Sequence, residues 1–151
     1  MAIEEYRSKR DFKRTPEPEG TVETSKKELV YVIQEHHATH LHWDLRLEHE
    51  GVLKSWAIPK EPPTAPGVRR LAVAVEDHPL EYAEFTGVIP EGEYGAGEVK
   101  IWDRGTYVPI SVKEEKWVFE IRGERLKGEY ALIKTSYGKG NSWIFFKVKP
   151  K

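Results

Sequence analysis

The sequence predicts a mainly β fold, a small barrel or sandwich of seven or eight short strands behind an extended N-terminal arm. Three observations predict it. β-branched and aromatic residues concentrate in short runs after position 28. One of those runs alternates strictly between apolar and polar residues. Glycine and proline fill the gaps between runs, as they do in all-β domains.

Residues 1–28 lack this texture. Fourteen of these 28 residues are charged, Ile3, Tyr6, Phe12 and Val22 keep no period, and Pro16, Pro18 and Gly20 interrupt the middle. The punctuation makes the segment extended, not helical. Composition alone makes it a disordered tail.

Strands are expected from Leu29 onward. Leu29–Gln34 is apolar and β-branched. In Leu41–Glu48, Leu41, Trp43, Leu45 and Leu47 share one face, and His42, Asp44, Arg46 and Glu48 the other. Glu50-Gly51 turns the chain into Val52–Ile58, its hairpin partner. Pro59, Pro62, Pro63 and Pro66 mark a loop. Leu71–Glu76, Glu98–Trp102, Trp117–Ile121, Glu129–Lys134 and Trp143–Val148 complete the set. Only Val75–Tyr82 and the arm leave room for a short helical turn. Trp117, Phe119, Phe145 and Phe146 are expected in the core rather than as stacking platforms for nucleobases.

The 151 residues suffice for one domain with a real core. With 24 basic and 25 acidic residues the net charge is −1, which excludes a uniformly basic coat but not a local basic cleft. The absence of cysteine excludes disulfides, thiol catalysis and cysteine-based metal sites. No apolar signal region or run of membrane-spanning length is visible, so no membrane contact and a cytoplasmic location are expected.

Five of the six histidines fall between positions 36 and 49. His42 and Asp44 lie two residues apart on an alternating strand. They point the same way, ~6–7 Å apart at the backbone, so imidazole and carboxylate can meet on one ion. Arg46 is next on that face. His36, at the end of the preceding strand, is the candidate third ligand, with His40 as an alternative. Two imidazoles and one carboxylate leave positions open for catalysis. His37 and His49 read as solvated.

Neighbouring cations favour an anionic substrate. Lys60, Arg69 and Arg70 bracket the proline-rich loop, and Arg46 adjoins the metal candidate. His78, in Glu76-Asp77-His78-Pro79 just past a strand, is a candidate phosphate contact or general acid. Gly92-Glu93-Tyr94-Gly95-Ala96-Gly97 lacks the Gly-Lys-Ser/Thr of a phosphate-binding loop and reads as a tight turn.

Several segments occur in one order: Gln34-Glu35-His36, Leu41 to Leu47, Gly51 to Lys60, Arg70-Leu71-Ala72-Val73, Glu76 to Tyr82 and Gly87 to Gly97. Together they resemble the 3′-phosphoesterase domain of the bacterial DNA ligase D family. Lys9-Arg10-Asp11-Phe12 and Thr15-Pro16-Glu17-Pro18 also fit that family's N-terminal pattern. The match is dense over about residues 6–104 and looser beyond. Trp43 stands where the family usually shows tyrosine, but on the core face.

The resemblance implies a compact β-barrel enzyme over residues 29–151, with residues 1–28 as an arm packing over the active site. The implied cofactor is a divalent metal, manganese foremost, with cobalt, copper and zinc as alternatives. The implied reactions remove a 3′-terminal ribonucleoside from a primer strand and then hydrolyse the remaining 3′-phosphate to a hydroxyl, in DNA end repair. Carried over by position, His36, His42 and Asp44 would hold the metal. Arg46, Lys60, Arg70, His78 and Tyr82 would form the catalytic set, and Arg10, Asp11 and Glu17 would bind substrate. A free-standing form is expected, with nucleic acid 3′ ends as partners and any ligase or polymerase on separate chains. Two rivals stand beside it: a non-haem iron oxygenase using His42, Asp44 and His78, and a non-catalytic end-binding module.

Overall fold

The computed structural model describes residues 28–89, 96–136 and 140–150. Nine strands follow in order: β1 Leu29–His37, β2 Leu41–His49, β3 Val52–Ile58, β4 Arg69–His78, β5 Gly87–Ile89, β6 Gly97–Lys113, β7 Lys116–Gly123, β8 Lys127–Lys134 and β9 Ser142–Lys147. Eight of them run β1-β2-β3-β4-β9-β8-β7-β6, and β6 pairs back onto β1. The result is a closed antiparallel barrel, as the sequence led one to expect. β5 hangs on the start of β6, outside the ring.

Period-two patterning decides which way each side chain faces. Tyr31, Ile33, Leu45, Leu47, Trp56, Ile58, Phe119, Tyr130, Leu132 and Phe145 fill one continuous buried cluster. Trp56 meets Trp117 and Trp143 edge-on, at ring distances of 5.5 and 5.8 Å. An eight-stranded barrel has room inside for side chains and little else. Aromatic side chains take that room, so polar chemistry is left to the outer wall.

A second, smaller cluster lies on that outer wall. Val32, Leu53 and Ala83 are buried there, with Val30, Tyr82 and Ile101 against them. The cover is a 3-10 turn, Leu80–Glu84, that follows β4. Thus the short helical element expected near Val75–Tyr82 exists, shifted a few residues along.

The strands differ from expectation chiefly in length. β1 runs on to His37, and β4 spans Arg69–His78. His78 is therefore the last strand residue, paired with Leu53, not a turn residue past the strand. β6 continues past Trp102, through Gly105 and Pro109, to reach 17 residues. It survives because its ladder with β7 shifts register between Pro109 and Ser111. The three-residue β5 was not foreseen. Phe146 also departs from expectation. It faces outward, half-buried, with the Arg69 guanidinium 5.5 Å from its ring centre. Adjacent residues on a strand cannot both face the core, and Phe145 has that place. No helix among the described residues is long and apolar enough to cross a membrane.

Candidate active site

The site is assembled on the outer wall, across β1 to β4. Hairpin register does the first step: His36 lies opposite His42, and Gln34 opposite Asp44. His36, His42 and Asp44 each bring a donor atom to within 4.8 Å of the others. Asp44 Oδ2 lies 3.7 Å from His36 Nδ1 and 3.4 Å from His42 Nε2. Two ligands held ~2.0–2.2 Å from one ion at a tetrahedral angle stand roughly 3.4 Å apart. The donor set and its spacing fit a divalent cation.

The orientation of His42 supports this. Its Nδ1 lies 3.0 Å from His40 O, and a carbonyl can only accept, so Nδ1 carries the proton. That leaves the lone pair on Nε2, on the Asp44 side. An outer partner that sets the tautomer is characteristic of metal-ligating histidine. His40 contributes its backbone here, and its side chain is exposed and outside the ligand group. Burial alone would raise the Asp44 carboxyl. The His42 contact and the Arg46 charge outweigh it and hold the group below the usual carboxylate value. Asp44 in turn raises His42, against the opposing effect of burial.

Arg46 connects the metal candidate to the other half of the site. It is 4% exposed and held from several sides. Its Nε donates to Gln34 Oε1 at 2.6 Å and Nη1 to Ser55 Oγ at 2.8 Å. Nη1 also lies 3.1 Å from His78 Nδ1. Nη2 faces Asp44 Oδ2 at 3.6 Å, too far for a hydrogen bond, and donates to no other group among the described residues. The guanidinium carbon sits 4.8 Å from the Tyr82 ring centre, and the His78 and Tyr82 rings are also 4.8 Å apart. Burial, and then the Arg46 charge, push His78 down to about 4, so the imidazole is neutral near pH 7.

The structure thus gathers His36, His42, Asp44, Arg46, His78 and Tyr82. Lys60 is exposed beyond the end of β3, and Arg70 Nε donates to Glu61 O at 2.7 Å. Among the described residues neither bonds to the cluster. Arg10, Asp11 and Glu17, on the arm, lie outside the described residues. His37 is exposed, 2.5 Å from Glu35. His49, expected to be solvated, instead packs 5.1 Å from the Trp117 ring centre.

Two participants were missed from sequence. Gln34 is fully buried, accepts from Arg46, and donates through Nε2 to Tyr82 O at 2.8 Å and Phe85 O at 3.2 Å. It couples the arginine to the 3-10 turn. Ser55, 2% exposed, is the second. The available signal was parity: both share the outward face with Arg46, where a buried polar residue needs a partner.

The same arrangement of segments is shared with known proteins. A family model described as the DNA Ligase D 3′-phosphoesterase domain matches residues 34–134. The chain is 48% identical to the "Multifunctional non-homologous end joining protein LigD" of Pseudomonas aeruginosa, over 97% of this chain and 18% of that protein. It is 47% identical to the "Multifunctional non-homologous end joining DNA repair protein LigD" of Mycobacterium tuberculosis, over 95% and 19%. For the Mycolicibacterium smegmatis relative the identity is 46%, over 95% and 20%. The chain spans about a fifth of the length of these relatives. The matched stretch contains the hairpin, the buried arginine and the 3-10 turn, and so the chain belongs to the DNA ligase D 3′-phosphoesterase domain family.

Proposed function

We propose that this protein is a metal-dependent phosphoesterase that processes nucleic acid 3′ ends during DNA end joining. One observation carries the reading: a buried arginine held by Gln34, Ser55 and His78 stands between the His36, His42 and Asp44 group and a neutral histidine, on an open wall. A narrow pocket would suit a small metabolite. An outer wall suits the end of a long polymer.

In the first reaction the P–O5′ bond to the terminal ribonucleoside breaks. Water supplies a hydroxyl to phosphorus, a proton goes to O5′, and a 3′-phosphate remains. In the second reaction the P–O3′ bond breaks and inorganic phosphate leaves a 3′-hydroxyl. His36, His42 and Asp44 would hold the divalent ion, manganese foremost, with cobalt, copper and zinc as alternatives. When bound, the ion polarises a phosphate oxygen and offsets its charge.

Arg46 meets the phosphate with the donors of Nη2, in a position already fixed by Gln34 and Ser55. That preorganisation stabilises charge developing in the transition state. Arg46 Nη1, 3.1 Å from His78 Nδ1, can only donate, so Nδ1 accepts and Nε2 carries the proton of the neutral ring. The negative charge of the bound phosphate would lift the low pKa of His78 and let it supply a proton to the departing oxygen. Tyr82 adds a hydroxyl beside it. Lys60 and Arg70 would add phosphate contacts farther from the centre, and Arg10, Asp11 and Glu17 would close over the substrate from the arm. Ligase and polymerase activities would use the hydroxyl that results.

The oxygenase rival required His78 as third ligand. His78 instead lies on Arg46, and His36 completes the triad. The test is a 5′-labelled primer–template ending in one ribonucleotide or in a 3′-phosphate, incubated with each metal and with chelator. Successive appearance of 3′-phosphate and 3′-hydroxyl ends is the expected result. Tight binding of ends without conversion under any metal would leave the end-binding module.

A further inference from the structure

We propose that one end of the barrel is a track for the duplex behind the 3′ end, and that cations from successive strands hold its backbone phosphates there. The proposal rests on the function given above and adds where the rest of the nucleic acid lies.

Antiparallel pairing sets neighbouring strand ends side by side. His36 and His42 flank the β1–β2 turn, so the metal-ligand group lies toward one end of the barrel. Going round that same end, each next strand brings a cation. Lys60 is exposed just past β3, and Arg69 and Arg70 open β4. Arg69 pairs with Phe146 across the ladder and rests its guanidinium on that ring. Lys147 closes β9, with Lys149 exposed beyond it. The Lys147 stem passes so close to Gly128 that a Cβ there would lie 3.1 Å from Lys147 Cε. Exposed Lys127 opens β8, and Arg125, in the turn before it, lies 4.6 Å from the Trp102 ring centre. Arg122, the next cation, is already engaged by Glu28 and Glu120.

Charge is divided between the two ends. Against these seven cations stand three carboxylates, Glu61, Glu124 and Glu129. The opposite end is acidic. Glu50 is in the β2–β3 turn, Glu76 and Asp77 lie near the end of β4, and Glu81 and Glu84 are on the 3-10 turn. Glu114 and Glu115 form the β6–β7 turn, and Lys54, Lys113, Lys116 and Lys134 offset part of this charge. On the other flank of the metal-ligand group, Glu35 of β1 and Glu98 of β6 also repel phosphate. A net charge of −1 thus conceals a basic arc that starts beside the site.

Nucleic acid is drawn from the site in one direction, over the ends of β3, β4, β9 and β8. At ~4.8 Å per strand the arc from Lys60 to Arg125 covers roughly 15–20 Å. That is about five base pairs at ~3.4 Å each. Phosphate contacts position a duplex without reading its sequence, as the processing of arbitrary ends requires.

The test uses the whole chain and a fluorescent primer–template ending in a 3′-hydroxyl, the end that is not converted. One variant combines Lys127→Gln, Lys147→Gln and Lys149→Gln. A control combines Lys113→Gln, Lys116→Gln and Lys134→Gln at the acidic end, so both variants have the same net charge. Losing three phosphate contacts should weaken binding roughly ten-fold or more near 0.1 M salt, and flatten the slope of log K against log salt by about two to three. The control should bind within about two-fold of wild type, because its charges lie beyond the ~10 Å screening length. On the same primer–template ending in a 3′-phosphate, with manganese, the first variant should raise KM and keep kcat, which also reports that it is folded. Wild-type affinity and slope in the first variant overturn the track alone. Equal weakening in both variants also overturns it, by reducing the effect to overall charge, and a fall in kcat without a rise in KM does so by making these lysines structural. A wild-type protein that neither binds nor converts an end overturns both this proposal and the function beneath it.

Discussion

His78 sits between a carbonyl and a guanidinium, and its surroundings exclude a proton that solvent would supply. Its folded value of about 4 lies below the ~6.5 of an unfolded chain. Between those two values the unfolded state binds more protons, so stability falls as pH drops through that window. Measured in chelator by urea unfolding, wild type should lose about 2 kcal/mol more than His78→Asn between pH 7.5 and 4.5. Equal losses in the two proteins would show that burial and Arg46 do not set this group. In catalysis the same ring should matter differently. His78→Ala should slow both reactions by roughly 10²–10⁴-fold, the range for a general acid–base residue, yet keep the thermal shift produced by manganese. His42→Ala and Asp44→Ala should lose both the activity and the shift. Retained phosphate release in Asp44→Ala, with metal content reduced, would make the ion structural.

The triad was legible in the sequence because alternation alone puts His42, Asp44 and Arg46 on one face. His36 required only that β1 continue two residues past Gln34. Gln34 and Ser55 were not legible, since their partners lie 12 and 9 residues away across two ladders. Lys60 and Arg70 lie outside the cluster that the described residues form: Arg70 has the inward parity of Ala72, at the end of the barrel, and its Nε donates to Glu61 O.

Among the elements, β6 was expected over Glu98–Trp102 alone, yet it runs through Gly105 and Pro109 to Lys113. Its middle is pinned from the side by Asp103. This carboxylate, 2% exposed, accepts from the backbone N–H groups of Glu124, Arg125 and Leu126 at 2.8, 2.8 and 2.9 Å. It also accepts from Tyr31 Oη at 2.8 Å. One side chain thus ties β1 and β6 to the turn between β7 and β8. Truncation would strand buried donors, each costing ~1–3 kcal/mol. Asp103→Ala should therefore destabilise by about 3 kcal/mol or more in urea unfolding, and Tyr31→Phe by about 1 kcal/mol. Gly123 belongs to the same joint. A Cβ there would lie 2.5 Å from Asp103 Oδ2 and 2.7 Å from Tyr31 Cε2, so Gly123→Ala should also destabilise. The check is the double variant of Gly123→Ala with Asp103→Ala. Its loss should be clearly smaller than the sum of the two single losses, and full additivity would separate the glycine from the joint.

On the scale of the whole molecule, closure of β1 onto β6 leaves no ladder edge between them and packs the interior solid. A substrate must then be held against an outer wall, where little encloses it. The arm is the part of the chain long enough to supply a cover. Glu28, the first described residue, is tied to Thr106 at 2.8 Å and to Arg122, beside the start of β1. His36 lies near the other end of that strand, ~25 Å away at ~3.3 Å per residue. The 17 residues from Asp11 to Glu28 can extend over up to ~60 Å, so Asp11 and Glu17 can both reach the cluster. A cover of this kind acts by positioning, where small misplacements are costly in rate. Under the proposed function, nucleoside removal would hold a longer substrate than phosphate removal and depend more on that positioning. Deleting residues 1–20 should therefore impair the first reaction several-fold more than the second, with only a modest change in melting temperature. Asp11→Ala and Glu17→Ala should each reproduce part of the defect. Rates measured separately on ribonucleotide-ended and 3′-phosphate-ended primers decide the matter. If truncated and full-length proteins matched on both ends, the arm would return to the solvated tail its composition suggests.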